Sequence, residues 1–111
     1  CRGIGVDRPA LARAIADANL VVNATSVGLR DADTLRLEAN LFSSDQYVFD
    51  VVYRPAETEL LRAAAQAGAQ TANGLGMLLY QGAKAFEIWT KQKAPLTVMR
   101  HALQAAINGD A

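Results

Sequence analysis

Near the start of the chain, apolar residues first recur with the spacing of a helix and then form an uninterrupted run. Within residues 9–19 (PALARAIADAN), Leu11, Ile15 and Ala18 are four and three positions apart, which predicts an amphipathic helix. Residues 20–22 (LVV) form a short continuous apolar run. Strands of a parallel sheet have this pattern when helices cover both faces, so we predict a buried strand here.

A second strand and helix follow an irregular stretch. Residues 29–46 show no sustained period, and we predict a loop there with one helical turn near Leu41 and Phe42. Residues 47–52 (YVFDVV) predict a second strand. Residues 56–67 predict a helix whose apolar face is formed by Leu60, Leu61, Ala64 and Ala67, with Gly68 as its C-cap.

The pattern changes after a third candidate strand at residues 70–72. Residues 74–91 predict a long helix, and a last helix is expected from Pro95 through Ile107. Strands that alternate with helices, followed by helices alone, predict an α/β fold with a helical appendage. We place the division between the two parts at residues 1–73 and 74–111.

Composition excludes several classes of function. The 111 residues carry 11 acidic and 11 basic side chains, so no net field favours nucleic acid. A single cysteine, Cys1, rules out a disulfide framework, and no metal-ligand spacing is present. No apolar run approaches the roughly 20 residues of a membrane span. We expect a cytoplasmic protein without a metal site, and we interpret Cys1 as a boundary within a longer chain.

Polar loops follow all three predicted strands. Asn23, Thr25 and Ser26 follow the first strand, Tyr53 follows the second, and Gly74 follows the third. The carboxyl ends of parallel strands share one edge of a sheet, where ligands of open α/β folds bind. All three loops could therefore contact one flat ligand.

Structural explanations compete with binding for several residues. Asn, Thr and Ser after a strand commonly form turns or cap helices, and the sequence around Gln81 by itself slightly favours a solvated helix position. We interpret Asp50 as a structural acceptor of loop amide protons rather than a catalytic group, and His101 as a surface residue. Helix core is expected at three larger residues, Met77, Phe86 and Trp89.

An ordered set of motifs resembles the shikimate dehydrogenase family. Residues 53–61 (YRPAETELL) match its YxPxxTxLL pattern, and residues 73–83 (NGLGMLLYQGA) resemble its GxxMLxxQA stretch. Residues 23–28 (NATSVG) are similar to its NATSxG loop. The resemblance covers roughly residues 9–107. Lys91 departs from the family, in which many members carry glycine after the Trp-Thr pair.

The resemblance implies the second half of a Rossmann-like parallel-sheet NADP-binding domain, followed by C-terminal helices that pack on the substrate domain. Tyr53 and Gln81 match residues that hydrogen-bond shikimate. The implied cofactor-binding positions are Asn23, Thr25, Ser26, Val51 and Gly74, on the nicotinamide side of NADP. The intact protein would then reversibly reduce 3-dehydroshikimate to shikimate, in aromatic amino-acid biosynthesis, and a homodimer is possible.

The family's catalytic lysine and aspartate match nothing in this chain, and neither does its glycine-rich phosphate loop. We therefore expect the chain alone to be inactive, with no catalytic residue of its own. Three alternatives stay open. They are a quinate or shikimate dehydrogenase that uses NAD, a non-catalytic nucleotide-binding module, and another two-domain Rossmann dehydrogenase with similar final helices.

Overall fold

The computed structural model describes residues 1–5, 7–26 and 37–109, within which there are four α-helices and three strands, and the last two helices follow the last strand. In chain order the elements are α1 (Arg8–Ala16), β1 (Leu20–Asn23), a 3-10 turn (Ala39–Leu41), β2 (Tyr47–Asp50), α2 (Glu59–Gln66), β3 (Gln70–Ala72), α3 (Leu75–Thr90) and α4 (Leu96–Asn108). Residues 29–36 of the predicted loop at 29–46, together with Val27 and Gly28 of the first polar loop, lie outside the described residues.

Helix boundaries follow local capping. Asp7 caps α1, accepting a hydrogen bond from the Ala10 amide at 3.2 Å. The second helix begins at Glu59 and not at the predicted residue 56, because Thr58 is its N-cap and accepts from the Leu61 amide at 3.3 Å. Gly68 ends this helix as predicted, with a left-handed φ of 86° that glycine adopts without steric cost.

The sheet is parallel, with strand order β1-β2-β3. Val21 of β1 pairs with Val48 of β2, and Val48 pairs with Thr71 of β3, so these side chains share one face of the sheet. Asn23 pairs with Asp50 at the carboxyl end of the first two strands. The predicted α/β class with a parallel sheet is confirmed.

The core lies on one face of this sheet only. Val48 is 1 % exposed and packs in a cluster with Ile15 of α1 and with the apolar face of α2, formed by Leu60, Leu61 and Ala64. The opposite face remains open, since both helices that cover the sheet pack on the same side. Leu20 is 58 % exposed and Val22 is 47 % exposed, so the prediction of a fully buried strand at 20–22 was wrong for the described part of the chain.

The last two helices form a hairpin that stands apart from this core. The Glu87 carboxylate accepts from the Ala94 amide at 3.1 Å, and Arg100 donates to the Tyr80 hydroxyl at 3.4 Å. Leu79 and Ala83 are the buried residues of α3. The Cα radius of gyration, 16.3 Å, exceeds the roughly 13 Å of a compact domain of this size, so the hairpin has little apolar surface to pack on.

The hairpin leaves large apolar side chains in solvent. Trp89 is 81 % exposed and Met77 is 52 % exposed, whereas Phe86 is half-buried. The prediction that Met77 and Trp89 belong to the helix core was therefore wrong, since no described residue covers that side of α3. His101 is exposed, as predicted. Within residues 1–5, 7–26 and 37–109, no helix has the length and hydropathy that a bilayer crossing requires.

A buried glutamine joins α1 to the turn before β2. Gln46 is 3 % exposed, and its amide group donates to the carbonyls of Ile15 at 2.6 Å and Ala18 at 2.8 Å. Its side-chain oxygen accepts from the Ser43 amide at 2.9 Å. In the same turn the Ser43 hydroxyl donates to Asp45 and lowers the pKa of that carboxyl. Gln46 thereby satisfies the carbonyls at the end of α1.

Gln46→Ala should lower the free energy of unfolding of the purified protein by roughly 1–3 kcal/mol, because it removes three hydrogen bonds of a buried side chain, to the Ile15 and Ala18 carbonyls and from the Ser43 amide. Urea unfolding would measure the change. Gln66→Ala, at an exposed end of α2, is the control and should change stability by less than about 0.5 kcal/mol. Equal effects of the two substitutions would show that the bonds of Gln46 do not stabilise the fold.

The helix hairpin turns at a strained residue. Lys91 has a φ of 59°, and among the described residues it is the one non-glycine position with positive φ. A side chain in this left-handed region costs roughly 1–2 kcal/mol, which explains why glycine suits this position. The positive charge of Lys91 at the C-terminus of α3 offsets part of that cost.

Lys91→Gly should therefore stabilise the protein, by about 1 kcal/mol in high salt and by less in low salt, where the lysine–helix attraction is unscreened. Thermal unfolding at two salt concentrations would measure both values. Lys93→Gly is the matched control, since Lys93 has no positive φ, and should give no gain. Stabilisation by both substitutions alike would contradict backbone strain at residue 91.

Candidate functional site

The loops after the three strands lie side by side at one edge of the sheet. The Val51 amide donates to the Asn23 carbonyl at 3.1 Å, which ties the second loop to the end of β1. The Gly74 amide donates to the Val52 carbonyl at 3.2 Å, which ties the start of α3 to the second loop. The structure thus brings together the segments around Asn23, Val51 and Gly74, as the parallel sheet predicted.

The carboxylate of Asp50 holds this edge together. Asp50 is 1 % exposed, and its Oδ1 accepts from Asn23 Nδ2 at 3.1 Å and from the Val52 amide at 3.0 Å. Its Oδ2 accepts from the Thr58 hydroxyl at 2.7 Å. A buried carboxylate with three donors is a structural acceptor, and one of the donors is a loop amide, in agreement with the interpretation from sequence.

The first loop turns back on its own strand. Asn23 is buried, and its Oδ1 accepts from the Thr25 amide at 3.1 Å and from the Thr25 hydroxyl at 2.6 Å. This arrangement is an Asx turn, in which the asparagine side chain replaces a backbone acceptor. Thr25 and Ser26 are exposed at the edge, whereas the Asn23 side chain faces inward.

The second loop carries Tyr53 beside a groove. Tyr53 is half-buried, and the Arg54–Pro55 peptide bond that follows it is cis. Asn73 holds the far side of this loop, because its Nδ2 donates to the Ala56 carbonyl at 3.0 Å. The groove has a volume of about 830 Å³, and its walls are Tyr53, Arg54, Pro55, Ala56, Leu78, Leu103, Ala106, Ile107 and Asn108.

Gln81 lies on α3 away from the loop contacts. It is exposed, and its position is three residues after Leu78, so it projects from the helix about one turn beyond the groove. Among the described residues no hydrogen bond joins it to Tyr53. The proximity of Tyr53 and Gln81 in a substrate site therefore stays a prediction.

Gly74 is required by the packing of the protein itself. A Cβ atom at this position would lie 1.8 Å from the Val51 carbonyl oxygen, far inside van der Waals contact. The family resemblance implies that Gly74 lies on the nicotinamide side of the cofactor, where a residue without Cβ permits close approach. The structure gives a second reason, since the first turn of α3 rests on the backbone of the loop after β2.

Two contributors to the site escaped the sequence analysis. Thr58 both caps α2 and binds Asp50, and its signal was a threonine directly before a helical apolar pattern. The wall that α4 supplies to the groove, around Leu103 and Ile107, had no local signal because it depends on how the helices fold back. Among the described residues no group of His, Cys, Asp and Glu is placed to hold a metal ion.

Comparisons with known proteins agree with these motifs. A sequence model of the Shikimate 5'-dehydrogenase C-terminal domain matches residues 74–104. The NADP(+) shikimate dehydrogenase of Halobacterium salinarum is 50% identical over 105 residues, which cover 95% of this chain and 40% of that protein. The chain belongs to the shikimate dehydrogenase family. It corresponds to the C-terminal part of the family's longer proteins.

Solved structures of the family share the fold. Shikimate 5-dehydrogenase from Listeria monocytogenes, in complex with shikimate and NAD, superposes with a TM-score of 0.78 at 43% identity over 87% of this chain and 34% of that one. Quinate dehydrogenase from Corynebacterium glutamicum, in complex with NAD, gives 0.80 at 36% identity over 92% of this chain and 36% of that one. The sheet and helices thus have the Rossmann-like arrangement expected of this family.

Gly74→Ala should destabilise the protein by roughly 1–3 kcal/mol, because the added methyl group meets a backbone carbonyl that cannot rotate away. Chemical unfolding of the purified protein would measure the loss. Gly76→Ala is the matched control, since no atom lies within 4 Å of a Cβ there, and should leave stability unchanged or raise it by up to about 1 kcal/mol. Equal stability of the two variants would refute the close contact.

Proposed function

We propose that this chain is the C-terminal part of an NADP-dependent shikimate dehydrogenase, which reversibly reduces 3-dehydroshikimate to shikimate. The observation that carries the proposal is the sheet edge where the loops after β1, β2 and β3 are hydrogen-bonded to one another. The identity to curated NADP(+) shikimate dehydrogenases supports the substrate and the cofactor. The chain spans 40% of the Halobacterium relative, so activity belongs to the whole protein.

Tyr53 and Gln81 are proposed to bind shikimate. A phenol hydroxyl and a carboxamide both donate and accept hydrogen bonds, which suits a ring that carries hydroxyl groups and a carboxylate. Tyr53 opens onto the groove between its loop and the α3–α4 hairpin, and Gln81 lies one turn further along α3.

The residues at the sheet edge fit the nicotinamide end of a dinucleotide. Thr25 and Ser26 are exposed hydroxyl side chains, and the bond from the Val51 amide to the Asn23 carbonyl places the second loop next to the loop that carries them. The described residues hold no glycine-rich turn between a strand and a helix, so the phosphates would bind outside them. The bound cofactor would supply the redox chemistry, with NADPH as hydride donor to 3-dehydroshikimate and NADP⁺ as hydride acceptor from shikimate. Asn23, which faces inward, would support Thr25 and not touch the cofactor with its side chain.

Proton transfer is proposed to use groups outside this chain. Asp50 is the carboxylate nearest the edge, but its oxygens are buried and already accept from three donors. A general acid or base must instead reach the reacting group on the substrate. We therefore expect the 111-residue chain to show no turnover by itself. The homodimer, the cytoplasmic location and the division at residues 73 and 74 stay predictions.

A quinate dehydrogenase that uses NAD is the second candidate. The likeness to the Corynebacterium glutamicum enzyme in complex with NAD favours it. Quinate has one more ring hydroxyl than shikimate and lacks its ring double bond, and NAD lacks the 2′-phosphate of NADP. Initial rates of the full-length protein with each of the four substrate and cofactor pairs would separate them. Shikimate with NADP should give the highest kcat/KM, and a preference for quinate with NAD would select the second candidate.

Tyr53→Phe and Gln81→Ala in the full-length protein should each raise the KM for shikimate by about 2- to 13-fold, because each loses one hydrogen bond worth roughly 0.5–1.5 kcal/mol. The KM for NADP should change little. Steady-state kinetics with each substrate varied in turn would measure both constants.

Tyr47→Phe is the control for the phenol and Gln104→Ala the control for the carboxamide. Both residues are exposed, and neither lines the groove. The KM of each control variant for shikimate should equal that of the parent protein. A parent-like KM in both Tyr53→Phe and Gln81→Ala would remove these residues from the substrate site, and failure of the parent to turn over any of the four pairs would refute the proposed function.

A further inference from the structure

An unbroken series of hydrogen bonds joins the loop after β1 to the loop after β2. The Thr25 hydroxyl donates to Asn23 Oδ1 at 2.6 Å, and Asn23 Nδ2 donates to Asp50 Oδ1 at 3.1 Å. The Thr58 hydroxyl then donates to Asp50 Oδ2 at 2.7 Å. The series begins at a residue proposed to lie beside the cofactor and ends at the helix cap behind Tyr53.

The loop that carries Tyr53 is anchored to Asp50 at both ends. The Val52 amide, directly before Tyr53, donates to Asp50 Oδ1 at 3.0 Å. Thr58, at the other end, donates to Oδ2 and also caps α2 through the Leu61 amide at 3.3 Å. A single carboxylate therefore fixes the entrance and the exit of the segment that presents Tyr53.

The two loops cannot shift independently while these bonds persist. Asp50 has a short side chain at the end of a strand, so its two oxygens keep a fixed relative position. Asp50 is 1 % exposed and Asn23 is 5 % exposed, so a donor that withdraws is not replaced by solvent. Leaving a buried carboxylate or amide unpaired is costly, so a displacement of Thr25 is transmitted to Asp50 and from there to Thr58.

We propose that Asp50 is a positioning residue that couples the cofactor-side loop at Thr25 to the substrate-side loop at Tyr53, so that dinucleotide and hydroxy acid strengthen each other's binding. This inference rests on the proposed function for the identity of the two ligands. Ordering of one loop by its ligand lowers the entropy that the second ligand must still remove from the other. The coupling is reciprocal, because each ligand changes the affinity of the other by the same factor.

The test is a binding cycle on the full-length protein. The dissociation constant of shikimate is measured with and without saturating NADP⁺, and the ratio of the two constants is compared between variants. We expect a ratio of about five or more in the parent protein. Thr58→Val removes the hydroxyl on Asp50 Oδ2, and its ratio should fall towards one, whereas Thr58→Ser keeps the hydroxyl and should restore the parent ratio.

Thr71→Val is the matched control. It makes the same atomic change on β3, where Thr71 is exposed and has no side-chain hydrogen bond to any described residue. It should keep the parent ratio. If Thr58→Val does not fold, Asp50→Asn takes its place, since it preserves side-chain size while exchanging one acceptor oxygen for a donor.

Two results would overturn the coupling. The first is a ratio of shikimate dissociation constants near one in the parent protein. The second is a parent-like ratio in Thr58→Val. A purely structural defect would give this second result, because it would weaken the binding of both ligands in parallel. If the parent binds neither ligand, the proposed function fails instead. In that case the link between the two loops is tested by the NMR signals of the backbone amides of residues 24–26 in the ligand-free protein. A change in Thr58→Val but not in Thr71→Val supports the link, and unchanged signals refute it.

Discussion

The hydrogen bonds of the buried Asp50 carboxylate are the constraint on which the candidate site depends. Burial makes a carboxylate unfavourable unless donors surround it, and here the donors come from β1, from the loop after β2 and from the cap of α2. The hydrogen bonds of the Asp50 carboxylate therefore fix three segments relative to one another. The sheet edge owes its shape to this polar contact more than to apolar packing, which lies further down the strands around Val48.

The close approach of α3 to the second loop is the next consequence. With Val52 held by Asp50, its carbonyl is fixed in place and accepts the Gly74 amide at 3.2 Å. The adjoining Val51 carbonyl then leaves no space for a side chain at residue 74. The direction in which α3 leaves the sheet follows from this contact, and with it the position of the groove beside Tyr53.

The residues proposed for this site are suited to orienting a ligand rather than reacting with it. Thr25, Tyr53 and Gln81 carry hydroxyl, phenol and carboxamide groups, which can donate and accept hydrogen bonds, while the Asp50 carboxylate is already bonded within the protein. The uncovered apolar side chains fit a chain that spans 40% of the Halobacterium relative. Leu20 and Val22 are exposed on the open face of the sheet, and Trp89 is exposed on α3.

Much of the fold could be predicted from the sequence, because the formation of helices, strands and caps depends on residues that are close together along the chain. Apolar periodicity determined the helices and strands, Gly68 set the end of α2 through its φ, and an aspartate at the end of a strand was recognisable as an acceptor for loop amides. The ordered motifs around Asn23, Tyr53 and Gly74 predicted that their loops share one edge of the sheet, and the structure brings these loops together there. Only the tertiary structure decided that both covering helices pack on one face, which exposes Leu20 and Val22, and that Met77 and Trp89 have no partner. It also decided that Gly74 contacts Val51 and that Thr58 binds Asp50, since each contact joins segments whose distance in space no local pattern encodes.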